Sequence, residues 1–266
     1  MVNLDDPNAE YFLQFNADKK IGYKITDYGL RITDYDEIVG ARELNVNQDG
    51  SSFIVNSTQF NLNLLGEFNV YNALAALAAA GGEGVDLQIA KSALEKITVT
   101  PGRAEFIDEG QSFKVMVDYA HEPRSLEAIF ETVKMLQPKR IIHVFGPTGG
   151  GRDQSTRIKL GEISARNADT TVITTDDPYD DDPRELAKLP IAGAKGTGKN
   201  LEDKLFVALD RREAIKKAFS LAGEGDLVLI TGKGAEQAMI VHGKKLAWDD
   251  RMVAREELQG LRRGLK

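Results

Sequence analysis

The pattern of apolar and polar positions changes about one third of the way along the chain. In the first third, short segments alternate polar residues with apolar or β-branched ones, which predicts short antiparallel strands. These segments are KKIGYKI (19–25), YGLRIT (28–33) and SSFIVNS (51–57). An Ala- and Leu-rich helix is predicted within 66–85, with Asn69 or Asn72 as its N-cap and Gly81-Gly82 as its stop signal. A second short helix is predicted over 86–97.

From about residue 104 onward, near-continuous apolar segments alternate with segments of helical periodicity. The strands are predicted over 113–119, 140–146, 170–176, 204–209 and 226–232, and the helices over 124–137, 156–167, 183–189 and 211–222. This alternation predicts an α/β fold with a Rossmann-like parallel sheet and helices on both faces. Pro101-Gly102 is a strong breaker, so we expect two domains, over 1–100 and 101–266.

Composition narrows the classes of function. A net charge of −7 argues against a nucleic-acid binder that relies on general phosphate attraction. The absence of cysteine excludes disulfides, thiolate metal sites and cysteine nucleophiles. The opening MVNLDDPNAEYF has acids where a signal peptide has its basic region, and no apolar run approaches the roughly 20 residues that span a bilayer. These features predict a cytoplasmic protein that works without a membrane or nucleic acid.

The exits of four predicted strands are polar and unusual. They read DYAHEP (118–123), GPTGGGRD (146–153), TTDDPYDDDP (174–183) and TGKGAEQ (231–237). Ligands of parallel sheets bind beyond the carboxyl ends of the strands, so these loops predict a site at one sheet edge. The last loop combines two glycines with Lys233 and Glu236, which is a weak signal by itself.

The glycine-rich loop suits an anion. Glycines let backbone amides approach an anion, and Arg152 and Arg157 add donors for a carboxylate or phosphate. The alternative interpretation is a flexible loop with a solvated Arg-Asp pair. In the acidic loop, Asp176 and Asp177 are the better ligand candidates, whereas the segment 180–182 resembles a solvated helix entrance that Asp182 caps ahead of Pro183.

Several other features favour structural roles. GAKGTGKN (193–200) has the spacing of a Walker A loop, but Asn200 replaces the required Ser or Thr and no buried strand precedes it. We therefore expect a mobile surface loop there. His143, within a strand, and His242, near a predicted hairpin turn, are expected to be structural or solvated, and Trp248 is expected to pack against the last helix.

Taken together, six segments resemble the Mur ligases, ATP-dependent enzymes that add amino acids to the peptidoglycan precursor. The segments are GEFNVYNALAALAA (66–79), PGRAE (101–105), VDYAHEP (117–123), GGGRDQSTR (149–157), TTDDP (174–178) and GKGAE (232–236), in the order of the family. The likeness is greatest to the branch that adds the third residue to UDP-N-acetylmuramoyl-L-alanyl-D-glutamate. It implies that 1–100 is the second half of a central ATPase domain and 101–266 the C-terminal domain.

The resemblance implies roles at the nucleotide. Arg103 is expected to be catalytic and to reach the phosphates, Asp118 to meet the ribose, and His121 to line the nucleotide pocket. In the chemistry attributed to the family, the γ-phosphate of ATP moves to a substrate carboxylate and forms an acyl phosphate. The incoming amine then attacks, and the tetrahedral intermediate loses phosphate. An arginine over the developing phosphate charge suits this reaction.

The resemblance also assigns an amino-acid site. Arg152 is expected to hold the α-carboxylate, Gly232 and Glu236 to contact the polar end or amine, and the stretch Asp176, Asp177, Pro178 and Tyr179 to recognise the side chain. Enzymes that add meso-diaminopimelate have Asp-Asn-Pro-Arg here, and their arginine holds the second carboxylate. A tyrosine cannot supply that fork, and an extra acid suits an ammonium. The sequence therefore favours L-lysine or another diamine such as ornithine.

Parts of the family pattern are missing from this chain. The Gly-Thr-x-Gly-Lys-[Thr/Ser] loop, the magnesium ligands, the carbamate lysine and the uridine-nucleotide domain have no counterpart. We therefore expect ATP and Mg²⁺ as cofactors, with the magnesium ligands mainly in a missing part and none assigned here. The chain alone should neither bind UDP-muramoyl dipeptide nor form product. Two alternatives remain open: a non-catalytic nucleotide- or amino-acid-binding remnant, and a ligase of the folylpolyglutamate synthase branch, which shares the Asp-x-Ala-His turn.

Overall fold

The computed structural model describes residues 1–25 and 34–264, with side chains up to residue 261, and divides into two compact units, Met1–Val99 and Thr100–Lys266. The strand predicted over 28–33 lies outside the described residues. Among the helices that the structure describes, none combines the length and the apolarity needed to cross a bilayer.

The first unit contains two three-stranded sheets. One is parallel, in the order β1 (Val2–Asn3), β2 (Ile21–Lys24) and β3 (Glu37–Gly40). The other is an antiparallel meander of β4 (Arg42–Asn47), β5 (Gly50–Val55) and β6 (Thr58–Leu62). The prediction of antiparallel strands is confirmed for 51–57 and wrong for 19–25. Alternation of residue types reports that a strand is half buried, but it does not report the direction of the neighbouring strands.

The described part of this unit also contains the helices α1 (Ala9–Leu13), α2 (Glu67–Gly82) and α3 (Leu87–Leu94). The α2 helix ends at Gly82 as predicted, but it begins directly after Gly66, whose φ of 87° only glycine adopts readily. Asn69 and Asn72 are therefore inside the helix, and neither is its N-cap. Asn69 instead donates from Nδ2 to the Leu65 carbonyl at 2.8 Å.

The second unit is built on a six-stranded sheet in the order β11-β10-β9-β12-β8-β7. Its parallel strands are β8 (Lys114–Asp118), β9 (Ile141–Phe145), β10 (Thr170–Ile173), β11 (Leu205–Val207) and β12 (Leu227–Thr231). The edge strand β7 (Glu105–Phe106) is antiparallel to β8. Every residue of β9 and β12 is buried, as expected for strands covered on both faces. The α/β class and the parallel sheet are confirmed.

Helices α4 (Pro123–Met135), α5 (Gln154–Asn167), α6 (Pro183–Gly196), α7 (Arg211–Leu221) and α8 (Asp250–Gly264) surround this sheet, with a hairpin of β13 (Ala238–Val241) and β14 (Lys244–Ala247). Asp182 caps α6 and Pro183 occupies its first turn, as predicted. Trp248 packs against a core cluster that includes residues of α8, as expected.

The α6 helix is longer than predicted, because it continues past 189 to Gly196. The surface loop expected at 193–200 is therefore wrong for its first four residues, and Gly193 and Ala194 are buried. A Cβ atom at Gly193 would lie 1.9 Å from the Ile158 carbonyl oxygen of α5, and one at Gly161 would lie 2.0 Å from that of Pro190. Small residues at these positions let the two helix backbones touch. The first part of the segment 193–200 is therefore a buried helix contact and not a loop.

Candidate functional site

The polar loops gather where the parallel strands end, because β8, β9, β10 and β12 all run in the same direction through the sheet. The centre of this cluster is Lys233, whose side chain has 0% exposure. Its Nζ atom donates to Asp177 Oδ1 at 2.8 Å and to Glu236 Oε2 at 2.6 Å. It also lies 3.3 Å from Asp176 Oδ1. One ammonium therefore faces three carboxylates from two strand exits.

Asp176 is the most buried of these acids. Burial raises its pKa, while the nearby charges of Arg211 and Lys233 oppose that rise. Its Oδ2 atom accepts from the Thr148 hydroxyl at 3.3 Å, whereas Oδ1 makes the ion pair with Lys233 but no hydrogen bond. Gly232, with φ of 115°, permits the close approach, since a Cβ there would lie 3.1 Å from Asp176 Oδ2. Gly232 therefore shapes the space around Asp176.

Asp177 is committed to the protein through its Oδ1 atom. Besides Lys233, Oδ1 accepts from the Ile240 amide at 2.7 Å, which ties the β13 hairpin to the exit of β10. Its carbonyl accepts from the Gly149 amide at 2.7 Å and thereby fixes the glycine-rich loop. Asp177, which the sequence suggests as a partner for a substrate ammonium, is thus already paired with the ammonium of Lys233.

Tyr179 anchors the acidic loop to the hairpin. Its amide donates to Ile240 and its carbonyl accepts from His242, at 3.1 Å and 2.7 Å. The ring lies against the glycine-rich loop, where a Cβ at Gly150 would be 2.8 Å from Tyr179 Cδ2. Pro178 is buried beside the same loop, and its carbonyl oxygen would lie 2.2 Å from a Cβ at Gly149. The two loops form one packed layer, and this contact requires the glycines.

The glycine-rich loop leads into α5 and exposes Arg152 to solvent. Asp153 caps the helix by accepting from the Ser155 amide at 2.9 Å. The Gly150 amide donates to Asp181 Oδ2 at 2.9 Å, so part of the predicted solvated helix entrance instead holds this loop. Arg157 is buried, and its Nε atom has no hydrogen-bond partner among the residues that the structure describes.

Asp118 ends β8 and joins two backbone segments. Its Oδ1 atom accepts from the Ala120 amide at 2.7 Å and its Oδ2 atom from the Ala104 amide at 2.8 Å. Burial raises the pKa of Asp118, while these amides and the Arg103 guanidinium oppose the rise. The carboxylate therefore holds the turn after β8 against the segment that carries Arg103.

Tyr119 connects the two groups of predicted site residues. The Arg103 guanidinium lies 4.3 Å from the centre of the Tyr119 ring, a cation–π distance. The Tyr119 hydroxyl donates to Glu236 Oε1 at 2.8 Å, and this bond, with burial, raises the pKa of Tyr119. Glu236 is thus held by Tyr119 on one oxygen and by Lys233 on the other. A continuous series of contacts leads from Arg103 to Asp177.

His121 stands beside this series. Its Nδ1 atom lies 2.8 Å from the Tyr119 carbonyl oxygen, and its ring meets the Tyr119 ring edge-on at 4.6 Å. A carbonyl oxygen only accepts, so Nδ1 carries the proton and donates. In the neutral ring, Nε2 is therefore the nitrogen that can accept from a ligand.

Sequence reasoning missed Arg211, the fully buried arginine beneath these loops. Its guanidinium donates to the carbonyls of Thr175 and Thr231 at 3.1 Å and 2.8 Å, and to both oxygens of Asp250 at 2.8 Å and 2.6 Å. Thr175 and Thr231 directly precede Asp176 and Gly232. Thr175 follows β10 and Thr231 ends β12, and β9 separates these two strands in the sheet. An arginine in the first turn of an amphipathic helix is usually exposed, so its sequence position gave no signal.

The two remaining histidines behave as predicted. His143 is fully buried, and its ring nitrogens contact the hydroxyls of Ser164 and Thr231 at 2.8 Å and 2.9 Å. Burial lowers its pKa to about 3, so the ring is neutral at physiological pH. His242 is exposed at the β13–β14 turn.

The acids of this cluster do not fit a magnesium ion. Oxygens of Asp176, Asp177 and Glu236 lie within 4.8 Å of one another, a spacing that a divalent cation could bridge. Lys233 Nζ, however, already contacts all three carboxylates. An ammonium with this many partners supplies the positive charge that a metal would bring.

Comparison with known proteins gives two family matches. Residues 102–234, half of the chain, match the model described as Mur ligase, glutamate ligase domain. Residues 1–80 match the Mur ligase middle domain.

Individual relatives agree with these matches. The UDP-N-acetylmuramoyl-L-alanyl-D-glutamate–2,6-diaminopimelate ligase of Syntrophomonas wolfei is 42% identical over 98% of this chain and 52% of its own length. The UDP-N-acetylmuramyl-tripeptide synthetase of a Roseiflexus species is 36% identical over 98% of this chain and 51% of its own. A solved structure of a UDP-N-acetylmuramoyl-L-alanyl-D-glutamate–2,6-diaminopimelate ligase aligns with a TM-score of 0.57 and 30% identity, over 98% of this chain and 53% of that one. The chain spans about half the length of these relatives.

Proposed function

The chain belongs to the Mur ligase family, and on that premise we propose that it is the C-terminal part of an ATP-dependent ligase. The proposed reaction joins an amino acid to UDP-N-acetylmuramoyl-L-alanyl-D-glutamate as the third residue. The observation that supports it most is the series of contacts Arg103, Tyr119, Glu236, Lys233 and Asp177 at one sheet edge. It links the residue expected at the phosphates to those expected at the amino acid.

Arg103 is suited to the phosphate chemistry. Its guanidinium is exposed and lies over the Tyr119 ring. In the proposed reaction, an oxygen of the substrate carboxylate attacks the γ-phosphorus of ATP and ADP leaves. The amine of the incoming amino acid then attacks the acyl carbon, and phosphate leaves. A fixed cation at the phosphates stabilises the charge that develops in the first step.

The proposed amino-acid substrate is a diamino acid. Arg152, exposed at the start of α5, is the candidate for its α-carboxylate, and Glu236, with 40% side-chain exposure, is the candidate for an amine. The names of the relatives supply 2,6-diaminopimelate as one substrate. Tyr179, where that branch has an arginine, favours L-lysine or another diamine that lacks a second carboxylate. Asp177 is paired with Lys233, so it no longer argues for a substrate with a side-chain ammonium. The preference for L-lysine therefore rests on Tyr179 alone.

ATP and Mg²⁺ are part of this proposal. Within the described residues the acidic cluster is satisfied by Lys233, so the magnesium ligands are expected in the half of the relatives that this chain does not match. UDP-muramoyl dipeptide is likewise expected to bind only together with that half. A cytoplasmic location, without nucleic-acid or membrane partners, is consistent with these substrates.

The test is complementation with the missing half. The chain is co-expressed with the half of the Syntrophomonas wolfei ligase that it does not match, and the purified mixture is given ATP, Mg²⁺, UDP-muramoyl dipeptide and one diamino acid. We expect ADP release and a product of the tripeptide mass, with meso-diaminopimelate, L-lysine and L-ornithine compared in parallel. The chain alone and the Arg103→Ala variant with the added half should give none.

An alternative is a non-catalytic module that binds a nucleotide or an amino acid. It predicts binding of a nucleotide or amino acid to the chain alone and no product in the mixture. The folylpolyglutamate synthase alternative predicts glutamate addition to a folate and no product from the muramoyl dipeptide.

A further inference from the structure

Lys233 is inaccessible to a ligand in this structure and yet lies at the centre of the candidate amino-acid site. Its backbone neighbours enforce this placement. Gly232 and Gly234 have φ values of 115° and 51°, and a Cβ at Gly234 would lie 2.7 Å from Tyr119 Cα. The tight Gly-Lys-Gly turn therefore directs the lysine side chain inward, beneath the exits of β10 and β12.

The ammonium of Lys233 has three carboxylate partners, Asp176, Asp177 and Glu236. Two of these partners come from the exit of β10 and one, Glu236, from the same turn as the lysine. Burial lowers the pKa of Lys233, but the charges of these acids and their hydrogen bonds together outweigh that effect and raise it overall. The ion therefore stays charged, and its removal would leave three acids facing one another.

Glu236 depends most on this contact. It is the most exposed of the three acids, and its two oxygens are held by Lys233 and Tyr119 at 2.6 Å and 2.8 Å. Without the lysine, repulsion from Asp176 and Asp177 would favour rotation of Glu236 toward solvent. The orientation of the carboxylate that is proposed to meet the substrate amine is thus set by the buried ammonium.

We propose that Lys233 is a positioning residue of the amino-acid site. It holds Glu236 and Asp177 in place and fills the space between the acids, so that the ammonium of a diamino-acid substrate binds at the outer side of Glu236. This inference rests on the proposed function, because it names how that site recognises its substrate. It adds a specificity role to a residue that touches no substrate.

The first experiment uses the full chain alone. Lys233→Ala removes the three outer methylenes and the ammonium, a fragment equivalent to n-propylammonium. We expect Lys233→Ala to lower the Tm by roughly 6–12 °C. n-Propylammonium should recover part of this loss in the variant and leave the wild-type Tm unchanged. Tetramethylammonium, which cannot donate a hydrogen bond, should not raise the Tm of the variant. Lys188→Ala is the matched control, because its exposed ion pair with Glu185 has the same i, i+3 spacing.

The second experiment separates positioning from stability. In the complemented ligase, Lys233→Met should raise the KM for the diamino acid by about tenfold and leave the KM for ATP unchanged. Unchanged KM values for both substrates with a reduced rate would indicate a purely structural role and overturn the proposal. Equal effects of the two amines on Lys233→Ala would also overturn it. An inactive wild-type mixture would instead contradict the proposed function, while the amine experiment would still decide whether Lys233 acts as the internal cation.

Discussion

Arg211 and Asp250, 39 residues apart in the sequence, form a two-pronged ion pair in which both side chains have 0% exposure. The same guanidinium holds the last carbonyls before Asp176 and Gly232, so one buried contact supports both loops of the candidate amino-acid site. The loops are ordered from beneath by charges that a ligand does not reach.

Breaking this pair should be costly. Arg211→Met leaves the Asp250 carboxylate buried without its partner, and we expect a loss of roughly 3–5 kcal/mol in the free energy of unfolding, measured by urea titration. Arg212→Met is the matched control, since its pairs with Glu256 and Glu257 are partly exposed and should contribute less than about 1 kcal/mol. Similar losses for the two variants would contradict the supporting role of Arg211.

Tyr119→Phe tests the link between the residues proposed for the nucleotide and those proposed for the amino acid. The variant keeps the ring beneath Arg103 but loses the bond to Glu236, so the KM for the amino acid should rise about threefold to tenfold in the complemented ligase, with the KM for ATP unchanged. Tyr71→Phe, which removes a phenol bond to Asp5 in the first unit, is the control and should change neither. A change in the KM for ATP alone would argue against the assignment.

Gly232→Ala should destabilise the second unit by roughly 1–3 kcal/mol, because alanine strains a φ of 115° and crowds Asp176. Gly260→Ala should act in the opposite direction. Gly260 lies in α8 with open space around it, and alanine there should stabilise by about 0.5–1 kcal/mol. Thermal unfolding of the two variants distinguishes backbone strain from a general intolerance of added methyl groups.

Asp226 should contribute to stability in a pH-dependent manner. Burial raises its pKa, but the Arg140 guanidinium and the Gly223 amide outweigh that effect and lower it overall. A carboxyl with a lowered folded-state pKa stabilises the protein above its unfolded-state pKa, and this stability is lost as the pH falls through the folded-state value. Asp226→Asn should therefore flatten the stability profile below about pH 5, where the wild type loses this contribution. The exposed Asp18→Asn control should leave the profile as it is in the wild type.

The sheet of the second unit could be predicted because its strands are near-continuous apolar segments, such as Ile141–Phe145, and four of the five parallel strands are followed by a helical pattern. The position of the polar loops at one edge then follows from parallel topology alone. The direction of β2 could not be predicted, because pairing partners come from distant parts of the chain.

The site was only partly predictable for a related reason. The family resemblance assigned roles to Arg103 and Asp118, and the strand exit drew attention to the acidic loop. Neither could show that Asp177 is paired with Lys233, 56 residues later. Charge balance is a property of three-dimensional neighbours. A carboxylate that the sequence suggests for a substrate ammonium can therefore already be paired with a lysine of the same chain.

The backbone contact between α5 and α6 has an evolutionary consequence. Gly161 and Gly193 each face a carbonyl oxygen of the opposite helix at a distance that leaves no room for a methyl group. A substitution that adds a side chain at either position would require the two helices to separate. We therefore expect both glycines to be kept in related proteins whose loops differ. This constraint comes from helix packing and not from catalysis, so it applies equally to a chain that has no activity.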